Sequence, residues 1–281
     1  MAVVVLFLLA ALPLSAVAQI LENVHVIIPG AGANSCPSLE QRQSARQLIT
    51  SHILSMLPLS IKQCGDGLWY QLVSINMSDP NGQCPEGWVE EDEGGVRACG
   101  RGTTGASCSS TFVNSGERSY TKVCGRAIGY QYGSTDAFVL SAGRTIDEIY
   151  VDGLSISYGS PRQHLWTFAS AVREGPSSYI ASNCPCSSSP GTSPPSFLGN
   201  NWYCESGNPN STTPNSIVSN DPLWDGKNCE GTCCSNGKSP PWFSVELSSQ
   251  TTEDIEARIC ADEHSDDNED VFIELLEIYI Q

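Results

Sequence analysis

IDEIYVDGLSISYGSPRQHLWTFASAV, residues 146–172, is the stretch whose reading decides the fold class. Two runs rich in Val, Ile, Tyr, Trp and Phe, Ile146–Tyr158 and His164–Val172, flank a Gly159-Ser160-Pro161 turn. β-Branched and aromatic side chains suit the pleated, half-buried surface of a strand, and Gly and Pro punctuate it. Working outward, Leu68–Asn76 and Tyr120–Tyr132 have the same character. So do Trp242–Leu247, Ile255–Cys260 and Val271–Ile280. Trp202, Tyr203 and Cys204 read as a tethered strand between two polar loops. The expectation is a mainly β chain, an antiparallel β-sandwich-like domain that is disulfide-rich.

One segment departs from this pattern. Ser38 and Gln41 form a capping box beside Pro37, and apolar residues follow at Ala45, Leu48, Ile49, Ile53, Met56 and Leu57. That spacing predicts an N-terminal amphipathic helix ended by Pro58. His52 lies within it and reads as a surface or satisfied core residue.

Thirteen cysteines constrain everything else. Cys36, Cys64, Cys84, Cys99, Cys108 and Cys124 precede a long cysteine-free block, residues 125–183, which is predicted to be the conventionally packed core. Cys184, Cys186, Cys204, Cys229, Cys233, Cys234 and Cys260 follow it. The apolar run Ala2–Ala16 with Ala16-Val17-Ala18 reads as a signal peptide over residues 1–18. All thirteen cysteines lie beyond it, so they are expected to meet an oxidising compartment and to form disulfides. An odd number leaves one thiol over. If pairing stays within each half, that thiol lies among the last seven. Cys184 and Cys186, like Cys233 and Cys234, are too close in sequence to bridge each other without strain. Each is expected to find a distant partner, gathering 184–234 into a looped knot. The domain reading is therefore a helical segment over 19–63 and a disulfide-rich β domain over 64–281, closed by acidic strands over 242–281. The spare thiol offers a route to a disulfide-linked oligomer of identical chains.

The formal charge of −17 disfavours nucleic acid and anionic lipid, both of which need Lys and Arg. From Glu246 to Gln281 twelve acids face one Arg. No second apolar stretch reaches spanning length, so no membrane span is expected. Asn76-Met77-Ser78 and Asn210-Ser211-Thr212 are acceptor sequons for N-glycans in a secreted chain.

A series of motifs adds a family expectation. It runs through Gln83-Cys84-Pro85, Cys124-Gly125-Arg126-Ala127-Ile128-Gly129-Tyr130-Gln131 and Tyr150-Val151-Asp152-Gly153-Leu154. It continues with Ser160-Pro161-Arg162-Gln163-His164-Leu165-Trp166, Trp202-Tyr203-Cys204-Glu205-Ser206-Gly207 and Asp221-Pro222-Leu223-Trp224-Asp225-Gly226. Over about residues 64–281 the chain resembles a largely uncharacterised family of secreted or cell-surface cysteine-rich proteins of sponges, cnidarians and other marine invertebrates. Family members often carry a partial fibrinogen-like segment upstream. Here the helical segment stands in that place, so fibrinogen-type ligand binding does not transfer. The resemblance implies secretion and supplies no catalytic residues.

Two constellations are candidate sites. Arg162, Gln163 and His164, beside Asp152, offer a donor fork, an amide and a switchable imidazole suited to a sugar or a carboxylate. Trp224, set between Asp221 and Asp225, adds a loop aromatic. In the acidic run, Asp266, Asn268 and Asp270 have the alternate spacing of a calcium loop start, without the Gly and distant Glu of an EF-hand. Ser160, His164 and Asp152 supply the residue types of a hydrolase, but no Gly-x-Ser-x-Gly elbow exists in the chain. The functional expectation is a secreted, non-enzymatic recognition protein that binds an extracellular glycan or protein, with calcium as the one cofactor suggested. An acidic matrix- or mineral-associated protein is the second reading, and a secreted hydrolase the third.

Overall fold

β-Branched and aromatic runs pair into two sheets. The computed structural model describes residues 63–138, 145–148, 150–171, 184, 194–207, 217–218, 220–227, 234–235, 242–262 and 269–281. The chain divides into two units, 1–70 and 71–281. Among the described residues the strands are β1 (Tyr70–Asn76), β2 (Val89–Glu93), β3 (Val96–Gly100), β4 (Ser107–Val113), β5 (Tyr120–Tyr132) and β6 (Gly153–Tyr158). They continue as β7 (Gln163–Ser170), β8 (Trp202–Glu205), β9 (Cys234–Ser235), β10 (Trp242–Thr251), β11 (Ile255–Ala261) and β12 (Asp270–Ile280). A single 3-10 turn, Ser196–Leu198, precedes β8.

The first sheet has the order β10-β5-β12-β3-β2, with β1 also paired to β12. The second has the order β4-β11-β6-β7-β8-β9. It is mixed, because β7 and β8 run parallel while its other pairs are antiparallel. The two sheets meet through aromatic side chains in a sandwich-like arrangement. Phe243 of β10 lies 5.8 Å from Trp166 and 5.8 Å from Phe168 of β7, and Trp224 lies 5.3 Å from Phe168. Ile255, Ala257, Ile259, Leu154 and Ile156 are fully buried. Burying such side chains supplies the main favourable term of folding.

Two glycines in β5 make room for these rings. A methyl at Gly125 would lie 2.6 Å from the Phe243 ring, and one at Gly129 would lie 2.9 Å from the Trp224 indole. A side chain at either position would also meet the backbone of β12, the Glu277 carbonyl at Gly125 and the Phe272 carbonyl at Gly129.

The eight described cysteines with resolved side chains, Cys64, Cys84, Cys99, Cys108, Cys124, Cys184, Cys204 and Cys260, are all disulfide-bonded. Three bridges are Cys84–Cys99, Cys108–Cys260 and Cys184–Cys204. The second overturns the premise that pairing stays within each half. Cys108 and Cys260 sit directly opposite on β4 and β11, a register that joins residues 152 apart. Long-range strand pairing, rather than proximity in sequence, chose the partner. The location of the spare thiol therefore no longer follows from counting each half.

Most predicted strands match β1, β5, β7, β8, β10, β11 and β12 within a few residues. Ile146–Tyr158 narrows to β6, because Ile146–Glu148 form a turn and Asp152 bends the chain before Gly153. Its side chain is committed to two loop amides, described below. The predicted leader, the helix of residues 38–57, His52, Cys36, Cys186, Cys229, Cys233, Asn210, Asp266 and Asn268 lie outside the described residues.

Loop-closure entropy ranks the bridges. Replacing Cys108 and Cys260 together by Ala is expected to cost about 5 kcal/mol, against about 3 kcal/mol for the Cys84/Cys99 pair with its separation of 15. Urea unfolding of the two double variants measures the difference.

Candidate metal centre

Both sheets end together where β5 and β12 pair as Tyr132↔Asp270 and where β11 and β6 pair as Cys260↔Gly153. Strand termini leave backbone amides without ladder partners, and these need acceptors. Asp152, one residue before β6 and fully buried, supplies two. Its Oδ2 accepts the N–H of Asp136 at 2.7 Å, and its Oδ1 accepts the N–H of Asp262 at 2.9 Å. Its own N–H donates to the Ala137 carbonyl at 3.2 Å, and its carbonyl accepts the N–H of Ser170 at 2.8 Å. One residue thus ties the loop after β5 to the end of β11 and to the end of β7.

This tie gathers four acids. Asp136 follows β5, Asp152 precedes β6, Asp262 follows β11 and Glu269 precedes β12. Their carboxylate oxygens lie within 4.8 Å of one another. Asp152, Asp262 and Glu269 are 0, 6 and 4% exposed, and Asp136 is half-buried. Four negative groups at this spacing repel strongly in a low-dielectric setting. Burial, followed by the charges of Glu269, Asp262 and Asp136, holds the Asp152 carboxyl well above the usual carboxylate range, against the Asp136 amide that lowers it.

Two states relieve such a cluster: protons on some of the carboxyls, or a cation among them. The donor set is all oxygen, with no His or Cys, which fits a hard cation such as calcium rather than zinc or copper. Calcium takes six to eight oxygens and accepts irregular geometry. Four carboxylates can supply most of these, since an oxygen that already accepts an N–H keeps a second lone pair.

The structure separates the residues singled out in the sequence. Asp152 belongs to the acid cluster. Arg162 lies at the opposite end of β6 and β7, where Tyr158 pairs with Gln163. There its Nε and Nη2 grip Glu256 at 2.5 and 3.0 Å, and Nη1 reaches Asp147 at 2.6 Å. Burial would raise the Glu256 carboxyl, but Arg162, Ser110 and Arg258 together hold it below its ordinary value. Gln163 Oε1 accepts the Tyr158 hydroxyl at 2.7 Å. His164 Nε2 meets Thr167 Oγ1 at 2.9 Å, and its ring stands edge-on to Phe197. Burial, then the charge of Arg258, pushes the His164 imidazole down to about 4. Neither Ser160 nor Asp152 is its hydrogen-bond partner. Trp224 is fully buried, and its Nε1 donates to the Ala169 carbonyl at 3.1 Å, so it fills the core between the sheets.

Asp270 corrects the calcium reading of the acidic run. Both its oxygens accept from Arg101 Nε, at 3.1 and 3.0 Å, and Oδ1 also accepts the N–H of Val271. The ion pair commits Asp270 to a structural role. The cluster instead uses Asp262 and Glu269 of the same acidic run, together with Asp136 and Asp152 from other loops. Asp262 and Glu269 belong to the acidic run 262–270 that the sequence marks as its densest carboxylate cluster, while Asp136 escaped the sequence reading. Their shared signal is an acid placed just beyond a strand end.

Comparison with known proteins finds no matching family model, no matching curated protein and no matching solved structure.

His164 gives a pH prediction. Its folded pKa of about 4 lies below the ordinary 6.5, so the unfolded chain takes up its proton first. The stability this supplies is complete above pH 6.5 and is lost as pH falls toward 4, by at most about 3 kcal/mol. His164→Gln should remove that loss. Urea unfolding of both proteins at pH 7 and pH 4 should show the wild type weakening more.

Proposed function

We propose that this chain is a secreted, non-enzymatic recognition protein whose loops are held at one end of a β-sandwich by calcium, with an extracellular glycan or protein as ligand. The observation that carries it is the convergence of Asp136, Asp152, Asp262 and Glu269 from four strand ends. Disulfide-bonded cysteines support an oxidising compartment, and no described helix is long and apolar enough to cross a membrane. Kinship with the secreted cysteine-rich proteins of marine invertebrates belongs to the same proposal.

Calcium acts here as a structural clamp. Neutralising the cluster lets the loop after β5 and the ends of β11 and β12 hold one arrangement, which lowers the entropy lost when a ligand binds. The net charge of −17 favours one further reading, an acidic protein of extracellular matrix or mineral. Retention in an insoluble matrix and disulfide-linked multimers on non-reducing gels would mark that role.

Calcium at one hundred times its dissociation constant should stabilise the chain by about 2.7 kcal/mol, and so raise the melting temperature by roughly 5–10 °C. Asp152→Asn should abolish the shift. Calorimetry with calcium and with chelator measures both. A glycan and protein binding screen under the same two conditions tests the recognition role, and binding lost in chelator is the expected result. No ligand in either condition would remove the recognition reading, and an unchanged melt would remove the clamp.

A further inference from the structure

The sequon Asn76-Met77-Ser78 sits where β1 ends and the chain turns. The turn is firmly held. The Met77 N–H donates to the Glu274 carbonyl at 2.8 Å, and the Gly82 N–H donates to the Asp79 carbonyl at 2.8 Å. Arg97 staples it from outside, donating to the carbonyls of Met77, Asp79 and Gly82 at 3.4, 3.2 and 3.0 Å. Asn76 is exposed, and its Oδ1 accepts the Ser78 N–H at 3.2 Å. That bond fixes the amide and leaves Nδ2, the atom an N-glycan would occupy, donating to no group among the described residues.

A groove of about 480 Å³ opens beside this turn. Its volume lies within the range of small-molecule sites, roughly 300–1,000 Å³. Met77, Pro80 and Val96 give it apolar walls, and Arg97, Tyr130 and Glu274 bring a guanidinium, a phenol and a carboxylate. This mixture matches a sugar, which has an apolar C–H face and a rim of hydroxyls. Tyr130 stays protonated, because burial and then its hydrogen bond with Glu274 raise its pKa.

We propose that Asn76 carries an N-glycan whose first N-acetylglucosamine packs into the groove of Met77, Pro80, Val96, Arg97, Tyr130 and Glu274. The acetyl methyl and the C–H face would lie on Pro80 and Val96, with Met77 closing the floor beneath them. The hydroxyls and the acetamide would meet the Glu274 carboxylate and the oxygen of the Tyr130 hydroxyl. The covalent step occurs on the nascent chain, with a lipid-pyrophosphate-linked oligosaccharide as co-reactant. Nδ2 bonds to C1 of the sugar, the C1–O bond to the lipid pyrophosphate breaks, and the amide proton passes to a base of the transferase. On folding, the Ser78 hydroxyl then donates to Glu274.

The inference rests on the extracellular reading, since only a chain that enters the secretory route meets the co-reactant. It is independent of calcium and of the recognition role. The test uses the full chain secreted from glycosylating cells, with Asn210→Gln to leave one sequon and with the wild type alongside. Peptide mapping should find the glycan on Asn76. Trimming to a single N-acetylglucosamine should leave the melting temperature unchanged. Asn76→Gln should lower it by roughly 2–4 °C and speed amide exchange over residues 77–80 and 95–97 about tenfold. Ser78→Thr, which keeps the sequon, should behave as the wild type.

A secreted protein modified at Asn210 but bare at Asn76 would overturn the inference and leave the extracellular reading standing. So would a glycan on Asn76 whose complete absence changes neither melting nor exchange. A chain retained in the cell with both sequons bare would overturn both.

Discussion

The fully buried carboxylate of Asp152 joins the two sheets at one end of the sandwich, and the candidate site depends on it. Its two oxygens accept amides from Asp136, beyond β5 of the first sheet, and from Asp262, beyond β11 of the second. Leaving a buried backbone amide without an acceptor is costly, so both bonds matter to the fold. The same geometry draws three further acids toward Asp152, so the joint that orders the loops also creates the repulsion that a cation or protons must relieve. Structural support and candidate chemistry share one residue.

Elsewhere, among the described residues, several buried or half-buried charges meet a charge of opposite sign. Arg101, whose side chain is wholly buried, pairs with Asp270 and also reaches the carbonyls of Gly105 and Ser107. It thereby fastens the segment between β3 and β4 to the start of β12. Glu256, on β11 beside the edge strand β4, is held by Arg162, Ser110 and Ser157. On the outer face of the first sheet, Arg126 pairs with Glu277 directly across β5 and β12 and lies over the Trp242 ring at 5.3 Å. In each case the partner comes from a distant part of the chain, so these contacts tie separate segments together as well as balancing charge. At the end of the sandwich four carboxylates of one sign instead lie close to one another.

The legible part of the fold was the set of strands that bury apolar side chains. β5, β7, β11 and β12 carry Val, Ile, Leu, Tyr, Trp and Phe at a density that no loop requires, and their bounds read almost directly from the chain. β2 and β4 were not legible. β2, Val-Glu-Glu-Asp-Glu, is a charged edge strand, and β4 is a Ser-rich edge strand. An edge strand buries little and is protected from further pairing by polar residues, so it lacks the pattern that marks a core strand. Trp224, read either as a ligand contact or as a turn residue covering the cysteine-rich loops, is buried, and the empty volume at Gly129 lets its indole reach the core.

The amino-acid sequence by itself determined the strand character of the core, the abundance of cysteine, the excess of acid and the sequon at Asn76. All of these are local or compositional properties. Only the tertiary structure decided that Cys108 joins Cys260, that Asp270 serves Arg101, and that Asp152 meets Asp136, Asp262 and Glu269 while Arg162 lies at the far end of the same strands. Strand propensity is set by each side chain and its neighbours. Partner choice is set by which strands exchange hydrogen bonds and in what register, and that is settled across more than a hundred residues at once.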